Sequence, residues 1–265
     1  MRTWRVVWIC LLLCPCFSLP LVSQNTPASN AEGLSLLQRA AAQLVGGVPL
    51  NDIALSGTAR RIAGSDDETG TVVLQATAAG AIHLDFSYPS GTRNEVKTAD
   101  RTGEWTGPDG TAHEIAFHNL VNDAGLVPAI TLGRVLSSAH ALVTFSGQET
   151  HDGQSVVHLK AGESFHAKRA NTATLLQHLS EMDIFLDSST LLPVAIDFNA
   201  HPDNDAGLDI PVEIRFSDYR AVSGAQIPFH VQKYLNNGLI LDLKFESAAV
   251  NSGIAPETFQ LGAGR

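Results

Sequence analysis

Past residue 16 the sequence contains no cysteine: all three, Cys10, Cys14 and Cys16, sit close to the N-terminus. If that stretch is removed as a leader, what remains has no disulfide, no thiolate nucleophile and no thiolate metal site. The domain must then be held by its hydrophobic core alone, and a chain of 265 residues can build one. Basic charge is also scarce: 17 Lys and Arg stand against 27 Asp and Glu, a formal net charge of −10. An acidic chain of this kind is a poor partner for nucleic acid or an anionic membrane surface. No segment reaches the roughly twenty apolar residues of a membrane span. There is no Gly-x-Ser-x-Gly elbow, which removes the simplest hydrolase reading, and no Gly-rich phosphate cradle of either common spacing.

What is present begins with Arg2 and Arg5, followed by the apolar run Val6 to Leu13, which continues weakly to Val22. This has the shape of a secretory signal, and cleavage after Ser23 is expected, with Ser18 and Ala28 as alternatives. Neither Cys14 nor Cys16 follows the small residue that lipoprotein processing needs, so no lipid anchor is expected. Residues 24–30 read as a loose tether. Leu34, Leu37, Ala41, Leu44 and Val45 then fall at helical spacing, which predicts a helix over Ala31 to Val45 stopped by Gly46-Gly47.

After that helix the text turns to strands. Ile53 to Ile62, Thr71 to Ala78, Ile82 to Tyr88, Gly91 to Thr98 and Gly103 to Thr106 read as a meander, with Gly64 to Glu68 as an acidic turn. Leu84 and Phe86 alternate with Asp85 and Ser87. Over Phe117 to Leu136 the period of two is lost, and Leu120, Val127 and Ile130 read as apolar faces of an interrupted helical insert. Strands resume at Ala139 to Phe145 and Ser155 to Lys160, joined by a loop from Gly147 to Gly153. A short helix capped by Asn171 is expected next, with Leu175, Leu176, Leu179 and Met182 on one face. A hairpin over Ile184 to Asp187 and Val194 to Asn199 follows, with Ile196 and Phe198 facing one way. The last fifty residues alternate most cleanly. Ile214 and Phe216, then Phe229 and Val231, then Leu241, Leu243 and Phe245 mark one dry face, with turns at Ser223-Gly224 and Asn236-Asn237-Gly238.

Metal signals fail on spacing. His113 and His118 lie five residues apart, about 140° round a helix, so they share no face. The acidic loop Asp203 to Asp209 has its glycine out of register and no closing glutamate. No cofactor and no metal are expected.

The stretch Ile184 to Phe259 resembles the C-terminal part of the LolA/LolB-like lipoprotein-carrier superfamily. The matching features are Phe216-Ser217-Asp218-Tyr219, Gly224, Ile227-Pro228 and Val250-Asn251 followed by Pro256 and Phe259, with Phe185-Leu186-Asp187 and Leu192-Pro193 upstream. The resemblance implies a mainly β fold with accessory helices: an incomplete antiparallel β-barrel with an N-terminal helix and a helical lid, as one domain over residues 31–265. It implies a periplasmic, monomeric binder or carrier of lipid or acylated protein, aided by an inner- or outer-membrane partner protein, and not an enzyme. Leu84, Phe86, Leu120, Val127, Ile130, Ile196, Phe198, Ile214, Phe216, Phe229, Val231, Leu241, Leu243 and Phe245 would then wall the ligand cavity. Arg60, Arg61 and Arg134 would serve as headgroup contacts or a lid latch. The alternative is a non-enzymatic sensor or interaction domain on the same fold, in which a partner in envelope signalling reads the cavity. An exported enzyme on an unrelated β-scaffold is the third reading, and the missing motifs count against it.

Overall fold

The computed structural model describes residues 29–122 and 124–262, so the leader read over residues 1–23 and most of the tether lie outside the described residues. The described chain runs α1 (Ala31–Val45), β1 (Asp52–Ala63), β2 (Asp66–Thr77), β3 (Ile82–Tyr88), β4 (Gly91–Lys97), β5 (Gly103–Thr106) and β6 (Ala112–Glu114). A 3-10 turn (Phe117–Asn119) and α2 (Pro128–Ser137) follow, then β7 (Ala141–His151), β8 (Gln154–Glu163), α3 (Ala170–Leu179), β9 (Met182–Asp187) and β10 (Pro193–Ala200). The last strands are β11 (Ile210–Val222), β12 (Ala225–Leu235) and β13 (Gly238–Val250), with a closing 3-10 turn at Pro256–Phe259.

All thirteen strands form one antiparallel sheet in the order β6-β5-β4-β3-β2-β1-β13-β12-β11-β10-β9-β8-β7. Every neighbouring pair is consecutive in the chain except β1 and β13, which pair from Ile53 with Val250 to Arg61 with Leu241. The sheet does not close. Its free edges are β6 and β7, and the chain between those two edges is the helical insert. The insert therefore spans the gap of an incomplete barrel by connectivity alone. The period of two sets the rest: Ile214, Phe216, Ile227, Val231, Leu243 and Phe245 are all buried on one inner face. Two of the hairpins turn on paired left-handed residues, Ser223-Gly224 (φ 50° and 93°) and Asn236-Asn237 (φ 49° and 62°), the geometry that matches strand twist.

Helix α1 forms where expected. Asn30 caps it by accepting from the Gly33 N–H at 2.6 Å, and Gly46 ends it at φ 57°. Its buried stripe is Gly33, Leu37, Ala40 and Leu44, packed against β7, β12 and α2. The tether reading is corrected at its last two residues. Asn30 N–H donates to Val143 O at 2.9 Å and Val143 N–H donates to Ser29 Oγ at 2.9 Å. Ser29 and Asn30 thus cover part of the free edge of β7, which would otherwise be open to another chain.

Four other expectations are corrected. The turn between β1 and β2 is only Gly64-Ser65, and Asp66 to Glu68 already pair with Ala63 to Arg61. Charge pairs across the strands hold these acids in the ladder, with Arg60 on Asp67 at 2.6 Å and Arg61 on Glu68 at 3.5 Å. Residues 147–151 are strand rather than loop, because β7 and β8 extend past a bulge at Phe145/Gly147 as a largely polar arm turning at Asp152-Gly153. In α3, Arg169 occupies the cap position and Asn171 lies inside the first turn, while Met182 has moved into β9. Leu120 to Asn122 and Ala124 to Val127 are irregular rather than helical. There Asn122 Oδ1 accepts from Ala124 N–H, and Thr131 Oγ1 accepts from Gly125 N–H, so side chains replace the helical ladder.

Candidate ligand-binding cavity

Between α2 and the inner face of the sheet lies a cavity of about 550 Å³. Ile82, Leu84, Phe86 and Tyr88 bring successive inner positions of β3 into its wall. Val127 and Ile130 close it from the insert, and Ile214 and Leu241 from the far strands. Among the described residues, five hydrogen bonds and ion pairs tie the insert and the neighbouring turns across the gap. Asn119 Nδ2 donates to His201 O at 2.8 Å, His201 N–H donates to Asn119 Oδ1 at 2.8 Å, and Asn122 Nδ2 donates to Glu181 O at 2.8 Å. Arg134 donates to Ala79 O in the β2–β3 turn, where Gly80 (φ 94°) has no Cβ to collide with the arginine stem. Arg101, in the β4–β5 turn, meets Glu163 at the end of β8 at 2.9 Å.

The expected wall residues divide into two groups. Leu84, Phe86, Leu120, Val127, Ile130, Phe198, Ile214 and Leu241 line the cavity. Ile196, Phe216, Phe229, Val231, Leu243 and Phe245 do not; they are buried in the same core cluster as Leu37, Ala40 and Leu44 of α1. The inner face is thus divided between protein core and open space. Among the cations, Arg61 and Arg134 line the cavity, whereas Arg60 points outward and makes a bidentate pair with Asp67, at 2.7 and 2.6 Å. Arg60 therefore reaches neither lid nor cavity.

The expected list lacks a set of polar groups that line the same space. Arg93, Glu95 and Lys97 sit at alternate positions of β4, beside Phe86, Leu84 and Ile82 of β3 in register. Lys233 follows Ile227, Phe229 and Val231 as the next inner position of β12 and pairs with Leu241. Its signal was legible: a lysine continuing an apolar period breaks the pattern without any structural gain. On β4 the run Arg93-Asn94-Glu95-Val96-Lys97 has no apolar inner row at all. The Lys97 ammonium, 2.9 Å from Glu95, holds that carboxyl below the usual carboxylate range, and burial pulls the Lys233 ammonium below the usual lysine range. Burial pushes the Tyr88 hydroxyl up to about 12, so it stays protonated as a donor.

Histidine and carboxylate gather on the opposite, outer face. Asp183, Asp197 and Glu213 stand side by side across β9, β10 and β11, and His151, Asp152 and Glu213 bring three ligand atoms within 4.8 Å of one another. Arg215 already sits on Asp152 at 2.5 Å and on Glu213 at 2.8 Å, so a cation is supplied by the protein itself. His113 and His118 are apart in role as well as spacing. His113 stacks on Trp105 at 4.2 Å, and His118 Nε2 lies 3.0 Å from Pro202 O.

No protein-family model matches the sequence, and no curated protein does. Solved structures match over most of the chain. An outer membrane lipoprotein-sorting protein domain from Vibrio parahaemolyticus superposes with TM-score 0.56 at 12% identity, covering 86% of this chain and 96% of its own. A LolA superfamily protein from Nitrosomonas europaea gives 0.54 at 12%, covering 86% and 97%. The chain shares the fold of these two structures. A DUF1329 family protein from Desulfovibrio piger ATCC 29098 shares it, with TM-score 0.56 at 11% identity over 88% and 97%. At these identities the likeness is one of architecture, and the cations of this cavity are read from this chain alone. No helix among the described residues is long and apolar enough to cross a membrane.

Proposed function

We propose that this LolA-like protein is an exported, periplasmic binder or carrier of an acyl chain, taken from a lipid or from an acylated protein. The observation that carries the reading is the cavity of about 550 Å³, apolar on its β3 and α2 walls and within the usual size of small-ligand sites. Burial contributes about 0.8 kcal/mol per methylene, so a dozen methylenes give a gross ~10 kcal/mol before the cost of association. The lipoprotein-sorting name of a structural neighbour agrees with this reading, as does the secretory signal expected from the sequence of residues 1–23.

Native mass spectrometry of residues 24–265, purified without detergent from membrane-containing cells, tests it. The expected outcome is a bound mass released by organic solvent and lost in Leu241→Glu, a change at a half-buried wall position that leaves the core intact. Phe216 is the wrong residue for this test, because it lies in the core and its loss would unfold the sheet. An apo mass that also refuses acyl probes would end the proposal.

A further inference from the structure

The cavity concentrates positive charge in an acidic protein. Of 17 lysines and arginines in the chain, six (Arg61, Arg93, Lys97, Arg101, Arg134 and Lys233) line this one space. Among the described residues, Glu95 stands on Lys97, Glu163 on Arg101, and Glu68 behind Arg61 and Arg93. With Arg101 and Arg134 set aside, Arg61, Arg93, Lys97 and Lys233 still face only Glu68 and Glu95 among the described residues, inside a chain whose net charge is −10. A purely apolar ligand would gain nothing from it, and taking those cations partly out of water costs free energy.

One corner is built more closely than the rest. The Arg61 and Arg93 guanidinium groups approach the same oxygen, Glu68 Oε1, at 3.5 and 4.0 Å. Glu68 is itself held by the Ser90 hydroxyl at 2.9 Å and the Ser90 N–H at 3.3 Å. Beside them Tyr88 stacks on Phe86 at 5.7 Å, and its ring packs over Gly70, where an added Cβ would stand 2.8 Å from it. Tyr88 Oη and Arg93 Nε are both buried, and neither has a hydrogen-bond partner among the described residues. An unsatisfied buried donor costs about 1–3 kcal/mol, so two in one corner point to a missing acceptor. Register places Lys233, Leu241, Arg61 and Glu68 in a row across β12, β13, β1 and β2, which joins this corner to the apolar wall.

We infer that the ligand is an amphiphile with an oxyanion headgroup, phosphate or carboxylate, held by Arg61, Arg93 and Tyr88 while its acyl chain lies among Leu84, Phe86, Ile130 and Leu241. The inference rests on the acyl-binding reading above and adds the headgroup to it. A tetrahedral or planar oxyanion accepts from two guanidinium forks and a phenol at once; a neutral glyceride has no anionic acceptor, and in a zwitterionic head the attached cation offsets the attraction of the phosphate to the arginines.

Trp105 lines the cavity and is the only tryptophan beyond residue 8, so its fluorescence reports occupancy directly. The test titrates residues 24–265 with dodecyl phosphate, dodecylphosphocholine, monolauroylglycerol and inorganic phosphate. Dodecyl phosphate is expected to bind at least tenfold tighter than monolauroylglycerol. Arg93→Gln and Tyr88→Phe are each expected to cut that preference below threefold, and Arg60→Gln on the outer face to leave it at the wild-type value. Tyr88→Phe keeps the ring and its packing, so it decides the matter if Arg93→Gln fails to fold. Equal affinity for charged and neutral chains overturns the headgroup inference and leaves the acyl-binding reading standing. Failure of every chain to bind overturns both. Inorganic phosphate displacing dodecyl phosphate at equal concentration would mark a free-phosphate site and overturn the amphiphile.

Discussion

Asp197 stands between two other acids on the outer face, and its environment makes a measurable claim. Burial, then Glu213, pushes its carboxyl up to about 6, and its Oδ1 is buried without a hydrogen-bond partner among the described residues. An unfolded aspartate titrates near 3.9. Below about pH 4 both states are protonated and nothing is lost. Between about pH 4 and 6 the unfolded chain releases its proton first, so stability falls as pH rises, and above pH 6 the full cost remains. Asp197→Asn is therefore expected to raise stability at pH 7.5 by on the order of 1 kcal/mol, after allowance for solvent screening, and to change nothing at pH 4. Thermal melts at the two pH values check this, and an equal gain at both would refute it. No reading of the sequence places these acids together, because the row depends on the register of three strands. Lys233 differs: its position in the β12 alternation was enough to single it out.

Helix α1 and the insert differ in how much of them local sequence dictates. Helix α1 carries its own cap, its own stop and an apolar stripe, so its bounds were legible residue by residue. In the insert, only α2 has a periodic apolar face. The stretch before it takes its shape from partners far away in sequence, His201 and Glu181, which no local window contains. The two parts are tied at Thr131 of α2, 1% exposed, whose Oγ1 accepts the Gly125 N–H at 3.1 Å. Thr131→Val keeps the shape and removes the acceptor. It is expected to cost about 1–2 kcal/mol and to speed amide exchange over residues 124–131, with exchange in β11 to β13 unchanged. Uniform acceleration across the whole sheet would mean that the insert and sheet open only together. Charged residues hid the ends of β2 and β7 in the same way: cross-strand ion pairs and polar arms extend strands where hydropathy predicts loops.

At the scale of the molecule, the meander and its open-barrel fold were legible because most strands show one dry face. The division of that face between core and cavity was not, since α1 covers some inner positions and leaves others, and alternation treats them alike. Because one ladder runs from β6 to β7 without a break, the first and second halves have no separate sheets to lose. Urea unfolding followed by Trp105 fluorescence and by far-UV circular dichroism is expected to give coincident midpoints, and two resolved midpoints would mean that the β1–β6 half unfolds independently. The pairing of β1 with β13 also fixes the order of events in time. Ser56 waits for Ser247, 191 positions later, before its hydroxyl partner exists. Until the last strand has been made, β1 is an unpaired edge, and the slow search for so distant a mate keeps the barrel from forming early. A polypeptide that has to be threaded through a narrow pore before it folds is served by such a delay.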